Sequence, residues 1–156
     1  MQILTSPLQK VHLEPPAIPA ARTILLPYIP VGIVSAATGQ IFDCYALIDS
    51  GASASLFPAD VARAIGIDPV ENDAGEPFFG ISAQKAMGYP HPVFLKIGGH
   101  GFATTIYFSP MSAQETLLLG MRGFFDLFTV KIDTKKERIE LGAIGGERDR
   151  HKIVTR

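Results

Sequence analysis

The sequence predicts an all-β domain with one or two short helices, and three observations carry that prediction. Glycine and proline are frequent, 15 and 12 in 156 residues, and spread without a period, which sets many turns between short elements. Runs rich in β-branched and aromatic residues recur along the chain, each bounded by a turn signal. Two stretches alone read as helix, PADVARAI and RGFFDLF, and both are short.

Taken in order, residues 1–22 hold Pro7, Pro15, Pro16 and Pro19 with little periodicity, and are expected to be an extended arm. TILLPYIPVGIV (23–34) has strand composition, but its prolines restrict it to edges or bends. AATGQ (36–40) is a turn and IFDCYALI (41–48) a buried strand, a hairpin that delivers the chain to Asp49. Pro58 is placed at the first helical position, with Val61, Ala62 and Ile65 at helical spacing and Gly66 as the stop.

A polar loop over 70–75 leads to PFFGI and KAMGY, which flank Ser82 to Gln84 as a hairpin with its tip near 80–84. PVFLKIG (92–98) and FATTIYF (102–108) form a second hairpin about Gly99 to Gly101. TLLL (116–119) is a short buried strand, and RGFFDLF (122–128) is long enough for about two helical turns. FTVKID and ERIEL make the last hairpin, about Thr134 to Lys136. The tail from Gly142 is either frayed or a strand in need of a partner. The organisation expected is therefore an arm over 1–22, one domain over 23–141 and a polar tail over 142–156.

Composition narrows the function. With 47% hydrophobic and 19% charged residues, the chain has the apolar content for a core and is not a disordered polymer. A net charge of −1 leaves no electrostatic footprint for nucleic acid. Cys44 is the single cysteine, so no intramolecular disulfide forms. Together with a first ten residues that lack a secretory pattern, this gives a cytoplasmic expectation. Thr23 to Phe42 is uncharged and long enough to span a bilayer. Pro27 and Pro30 would leave backbone groups unpaired in lipid, so no membrane span is expected.

One motif stands out for chemistry. In ALIDSGASASLFP (46–58) an apolar strand ends in Asp49-Ser50-Gly51-Ala52, which sets a carboxylate at the end of a rigid element beside a hydroxyl and a glycine that admits close approach. The residues alone fit better an Asp that closes a turn through its side chain. Other candidates are weaker. GASAS lacks the second glycine of a nucleophile elbow, since position 55 is Ser. His12, His91, His100 and His151 have no paired metal-ligand spacing. Gly98 to Gly101 reads as a turn and not a phosphate cradle, and Cys44 as a structural thiol. The FFDLF aromatics read as core, and KIDTKKER as a solvated hairpin.

Three separated segments carry a family resemblance: ALIDSGAS, then FFGISAQKAMG (78–88), then LLLGMRGFFDLF (117–128). In this order and spacing the chain resembles the retropepsin-like aspartic proteases, single-lobe relatives of pepsin, over residues 23–141. The resemblance implies a closed β-barrel-like acid-protease fold and peptide-bond hydrolysis by water held between two aspartates, with no metal and no cofactor. Two neighbouring carboxylates do not both ionise, so the pair holds one proton and serves as acid and base together. It implies Asp49 as the catalytic residue, Ser50, Gly51 and Ala52 as its supporting loop, and Phe79, Gly80 and Ile81 in a flap over an extended peptide or protein substrate.

Asp-Ser-Gly occurs once in a chain too short for two lobes, so the second aspartate is expected from a second copy in a twofold homodimer. The segment from Ser82 to Lys85 departs from the glycine-rich flap tips of many relatives. Two alternatives remain beside a general endopeptidase: a peptide-binding or assembly module that keeps the fold without turnover, and a peptidase restricted to one protein partner.

Overall fold

The computed structural model describes residues 2–12, 23–70, 75–79, 85–110, 117–145 and 150–151. Its architecture is all-β. The strands are β1 (Gln2–Pro7), β2 (Gln9–His12), β3 (Thr23–Leu26), β4 (Tyr28–Ser35), β5 (Ile41–Ile48), β6 (Leu56–Pro58), β7 (Glu76–Phe79), β8 (Lys85–Ile97), β9 (His100–Ser109), β10 (Leu118–Leu119), β11 (Phe128–Asp133), β12 (Arg138–Ala143) and β13 (Arg150–His151), with the helix α1 (Ala59–Ala64) after β6.

The largest sheet closes on itself. Its order is β13-β9-β6-β10-β5-β4-β8-β7, and β8 also pairs with β9, so six strands (β9, β6, β10, β5, β4 and β8) form a ring without free edges. Most neighbours are antiparallel, but β5 with β10 and β6 with β9 run parallel. Ile29, Ile33, Ala46, Leu95, Ile106, Phe108 and Leu119 fill the interior, each fully buried.

Prolines lie where the ladders tolerate them. Pro90 and Pro92 fall in the part of β8 that pairs with β9 alone, between Lys85–Gly88, which pairs with β7, and Val93–Lys96, which pairs with β4. A missing N–H there leaves no gap in a ladder. The turn signals predict two strands over this stretch, yet it runs unbroken from Lys85 to Ile97. Pro30 likewise precedes the Gly32–Ser35 segment of β4 that pairs on both sides.

Helix α1 starts one residue later than expected, with Pro58 as the extended N-cap at φ −61° and ψ 147°. It ends as a Schellman motif, in which the Ile67 amide donates to the Ala62 carbonyl at 2.9 Å and the Gly66 amide to the Arg63 carbonyl at 3.1 Å. Gly66 takes φ +76°, the left-handed region this motif requires.

Two further expectations change. The first part of the arm is built into the fold: β1 pairs with β12 in a three-stranded sheet of order β1-β12-β11, and β2 pairs with β3. Ile3 and Leu8 are buried in the same core as Ile139 and Leu141. This pairing joins the two ends of the sequence, so local patterning carried no trace of it. Residues 13–22 lie outside the described residues.

The second change concerns RGFFDLF, which is a run of hydrogen-bonded turns and not a helix. Gly123 sits at φ +90°, where helix cannot continue, and the Asp126 carboxylate accepts its amide at 3.0 Å. Phe124 and Phe128 still reach the core, as expected of the FFDLF aromatics. In the tail, β13 pairs with Gly101 and Phe102 of β9.

Candidate functional site

The site is built where two parallel strands end side by side. Leu47 and Ile48 of β5 pair with Leu118 and Leu119 of β10, so the residues that follow, Asp49 and Gly120, leave the barrel at the same end. The Asp49 amide donates to the Leu119 carbonyl at 3.0 Å. Ile48 and Leu119 are buried, and that apolar pair fixes where the loop begins.

Asp49 is half-buried, Ser50 and Gly51 are exposed, and Ala52 is half-buried. The carboxylate folds back on its own loop. Oδ1 accepts the Gly51 amide at 2.8 Å, and the Asp49 carbonyl accepts the Ala52 amide at 3.2 Å. This is the Asx turn that the bare motif also fitted, so turn closure and carboxylate placement are one arrangement. A Cβ on residue 51 would lie 3.1 Å from Oδ1, a tight contact that the carboxylate would have to ease by a small shift. Oδ2 takes no hydrogen bond from the described residues, leaving one carboxylate oxygen oriented by its held partner and open to chemistry.

The segment after β10 braces this loop. The Met121 amide donates to the Ala52 carbonyl at 2.9 Å and the Arg122 amide to the Ser53 carbonyl at 3.1 Å, while the Arg122 carbonyl accepts the Ser55 amide at 2.8 Å. Ser55 is fully buried, and its Oγ accepts the Gly120 amide at 3.1 Å. Gly120 fits because it has no side chain: a Cβ would lie 2.4 Å from the Ala54 carbonyl oxygen and 2.8 Å from that of Ala52.

The expected hairpin is present as β7 against the start of β8, with Glu76 opposite Gly88 and Phe78 opposite Ala86. Phe79 ends β7; Gly80, Ile81 and the tip to residue 84 lie outside the described residues. Asp49, Ser50, Gly51 and Ala52 are thus brought together in one turn, and Phe79 belongs to a separate hairpin. Sequence reasoning missed Ser55, Gly120, Arg122, Glu76 and Tyr107 as site-forming residues. The apolar run ending in Gly120 was a signal for one of them. The others meet only through barrel closure.

Glu76 divides its two oxygens, accepting the Tyr107 hydroxyl at Oε1 and the Arg122 guanidinium at Oε2, both at 3.1 Å. Burial first, then the bond to Glu76, raises the Tyr107 pKa above its usual value. Cys44, partly buried on β5, is pushed up to about 11 by burial and then by the Asp43 charge. It lines an open groove with Leu4, Val31, Tyr45 and Lys96 that shares no residue with the 49–55 loop. Among the described residues no three His, Cys, Asp or Glu side chains gather as a metal cage, and no helix is long and apolar enough to cross a membrane.

No family model and no curated protein sequence matches the chain. Among solved structures it is similar to the EIAV protease complexed with the inhibitor HBY-793, at 17% identity and a TM-score of 0.41, over 62% of this chain and 82% of that one.

Proposed function

We propose that the chain is one half of an aspartic peptidase, in which Asp49 from each of two copies forms a carboxylate pair that hydrolyses peptide bonds. The observation that carries this reading is the Asp49 carboxylate itself. It stands at the end of a buried strand, with Oδ1 held by the Gly51 amide at 2.8 Å and the loop behind it tied to residues 120–122. A carboxylate fixed by one oxygen loses little freedom when the other meets a water or a proton.

In the pair, one carboxylate takes a proton from the bound water as its oxygen attacks the peptide carbonyl carbon, and the other carboxyl gives its proton to the carbonyl oxygen. Proton transfer to the amide nitrogen then lets the C–N bond break. The products are an acid and an amine, and the pair returns to its singly protonated state. Its titration belongs to both groups together. Ser50 and Gly51 line the approach of the second copy, and Ala52 supports the loop through its amide and carbonyl. The β7–β8 hairpin, with Phe79, Gly80 and Ile81, is the flap that closes over an extended peptide.

The deciding experiment is cleavage of a peptide and protein library from acidic to neutral pH, with Asp49→Asn as the control. Asn keeps an oxygen for the Gly51 amide, so the loop survives while the acid–base function is lost. Cleavage by the parent and none by the variant is expected. Equal cleavage by both rejects the assignment, and binding of extended peptides without cleavage by either turns the reading to a binding module. Sedimentation at several concentrations tests the pairing, because a strict monomer with full Asp49-dependent activity removes the shared dyad.

A further inference from the structure

We infer that Glu76, Arg122 and Tyr107 form a latch that holds the root of the β7–β8 hairpin against the loop carrying Asp49, and that they act as positioning residues for closure over substrate. The latch is a statement about the hairpin alone. Its consequence for substrate rests on the peptidase reading.

β7 needs such a device. It is the last strand of its sheet and pairs with β8 only, so the hairpin leaves the barrel as a two-stranded ribbon, marginal without further packing. Three contacts supply that packing, and they converge on one ring. Tyr107 is 6% exposed, sits on β9 opposite Leu56 of β6, and donates its amide to the Ser55 carbonyl at 3.0 Å. Its hydroxyl donates to Glu76. The Phe78 ring, two residues further along β7, meets the Tyr107 ring edge-on at 5.1 Å between centroids. The Arg122 guanidinium lies over the same ring, 5.2 Å from its centroid.

Arg122 makes the connection to the candidate active site. Its backbone is bonded to Ser53 and Ser55, in the loop that Asp49 opens, while its side chain reaches Glu76 at the first position of β7. The path from Asp49 to the hairpin therefore runs through one loop and one ion pair. That ion pair would be minor alone: Arg122 and Glu76 are 56% and 46% exposed, and exposed pairs contribute little. The shared, buried tyrosine changes the balance, because one carboxylate is engaged from two sides and loss of either partner loosens both. Gly88 completes the seat, since a Cβ there would lie 2.5 Å from the Phe78 ring.

The test is backbone amide exchange across the full chain for Arg122→Met, Glu76→Gln and Arg122→Lys, with KM and kcat on a peptide that the parent cleaves in an Asp49-dependent way. Exchange in residues 76–79 and 85–88 is expected to quicken about fivefold in Arg122→Met and Glu76→Gln, with partial rescue in Arg122→Lys, which keeps the charge. KM should rise by a similar factor, with kcat within about twofold, as expected when ground-state and transition-state binding weaken together. Unchanged exchange in both Arg122→Met and Glu76→Gln overturns the latch. Quickened exchange spread equally over β4 and β5 also overturns it, since the residues would then be supporting the whole barrel. Quickened hairpin exchange with KM and kcat unchanged overturns the positioning role. If the parent cleaves nothing but hairpin exchange responds as stated, the latch stands and the peptidase reading falls.

Discussion

Gly120 lies so close to Ala54 that a Cβ on it would be 2.4 Å from the Ala54 carbonyl oxygen. The two residues belong to segments that leave adjacent strands of the barrel, and their approach lets the 120–122 segment bond to the Asp49 loop along its length. Backbone cannot yield here as a flexible side chain would. Gly120→Ala is therefore expected to destabilise the fold by about 1–3 kcal/mol, read as a lower urea midpoint with the slope unchanged. An unchanged midpoint would mean that the two segments separate at no cost and that the loop is not braced as described.

Ser55 makes the companion contact. Its buried hydroxyl accepts the Gly120 amide at 3.1 Å, and Ser55→Ala would leave that donor buried without a partner. A loss of about 1–3 kcal/mol is expected. Because the bond sits directly behind the Asp49 loop, any Asp49-dependent cleavage should fall with it, while Ser55→Thr, which keeps the oxygen, should retain more stability than Ser55→Ala. Denaturation of the two variants side by side checks this order.

Cys44 offers a pH-dependent readout far from the candidate active site. Its pKa rises from the ordinary value of 9.0 to about 11, so the folded chain keeps the thiol protonated where an unfolded chain would lose its proton. Its contribution to stability is accordingly full below about pH 9 and is lost as pH rises toward about 11. Alkylation by iodoacetamide at pH 8 should be slow in the native protein and rapid in urea, since the thiolate is the nucleophile. Cys44→Ala should remove the part of the stability loss that falls in that window. Fast native alkylation at pH 8 would refute the raised value.

The Asp49 loop was legible because its signal is local: an apolar strand, a carboxylate, a hydroxyl and a glycine follow one another in sequence. The hairpins β4–β5, β8–β9 and β11–β12 were legible for the same reason, with turn residues between alternating runs. The seven residues of RGFFDLF misled, because their helical spacing of aromatics is real while Gly123, at φ +90°, breaks the backbone that would have used it.

The sequence alone determined most of the strands and turns between residues 23 and 141 and the Asp-Ser-Gly turn that follows β5, since each depends on neighbours a few positions away. Only the tertiary structure decided that β1 caps β12, that six strands close into a ring, and that Ser55, Gly120 and Arg122 stand behind Asp49. Those placements follow from register between segments far apart in the chain, above all the parallel pairing of β5 with β10. Such pairing is selected by how well the assembled core fills, a property of the folded whole that no short window of sequence contains.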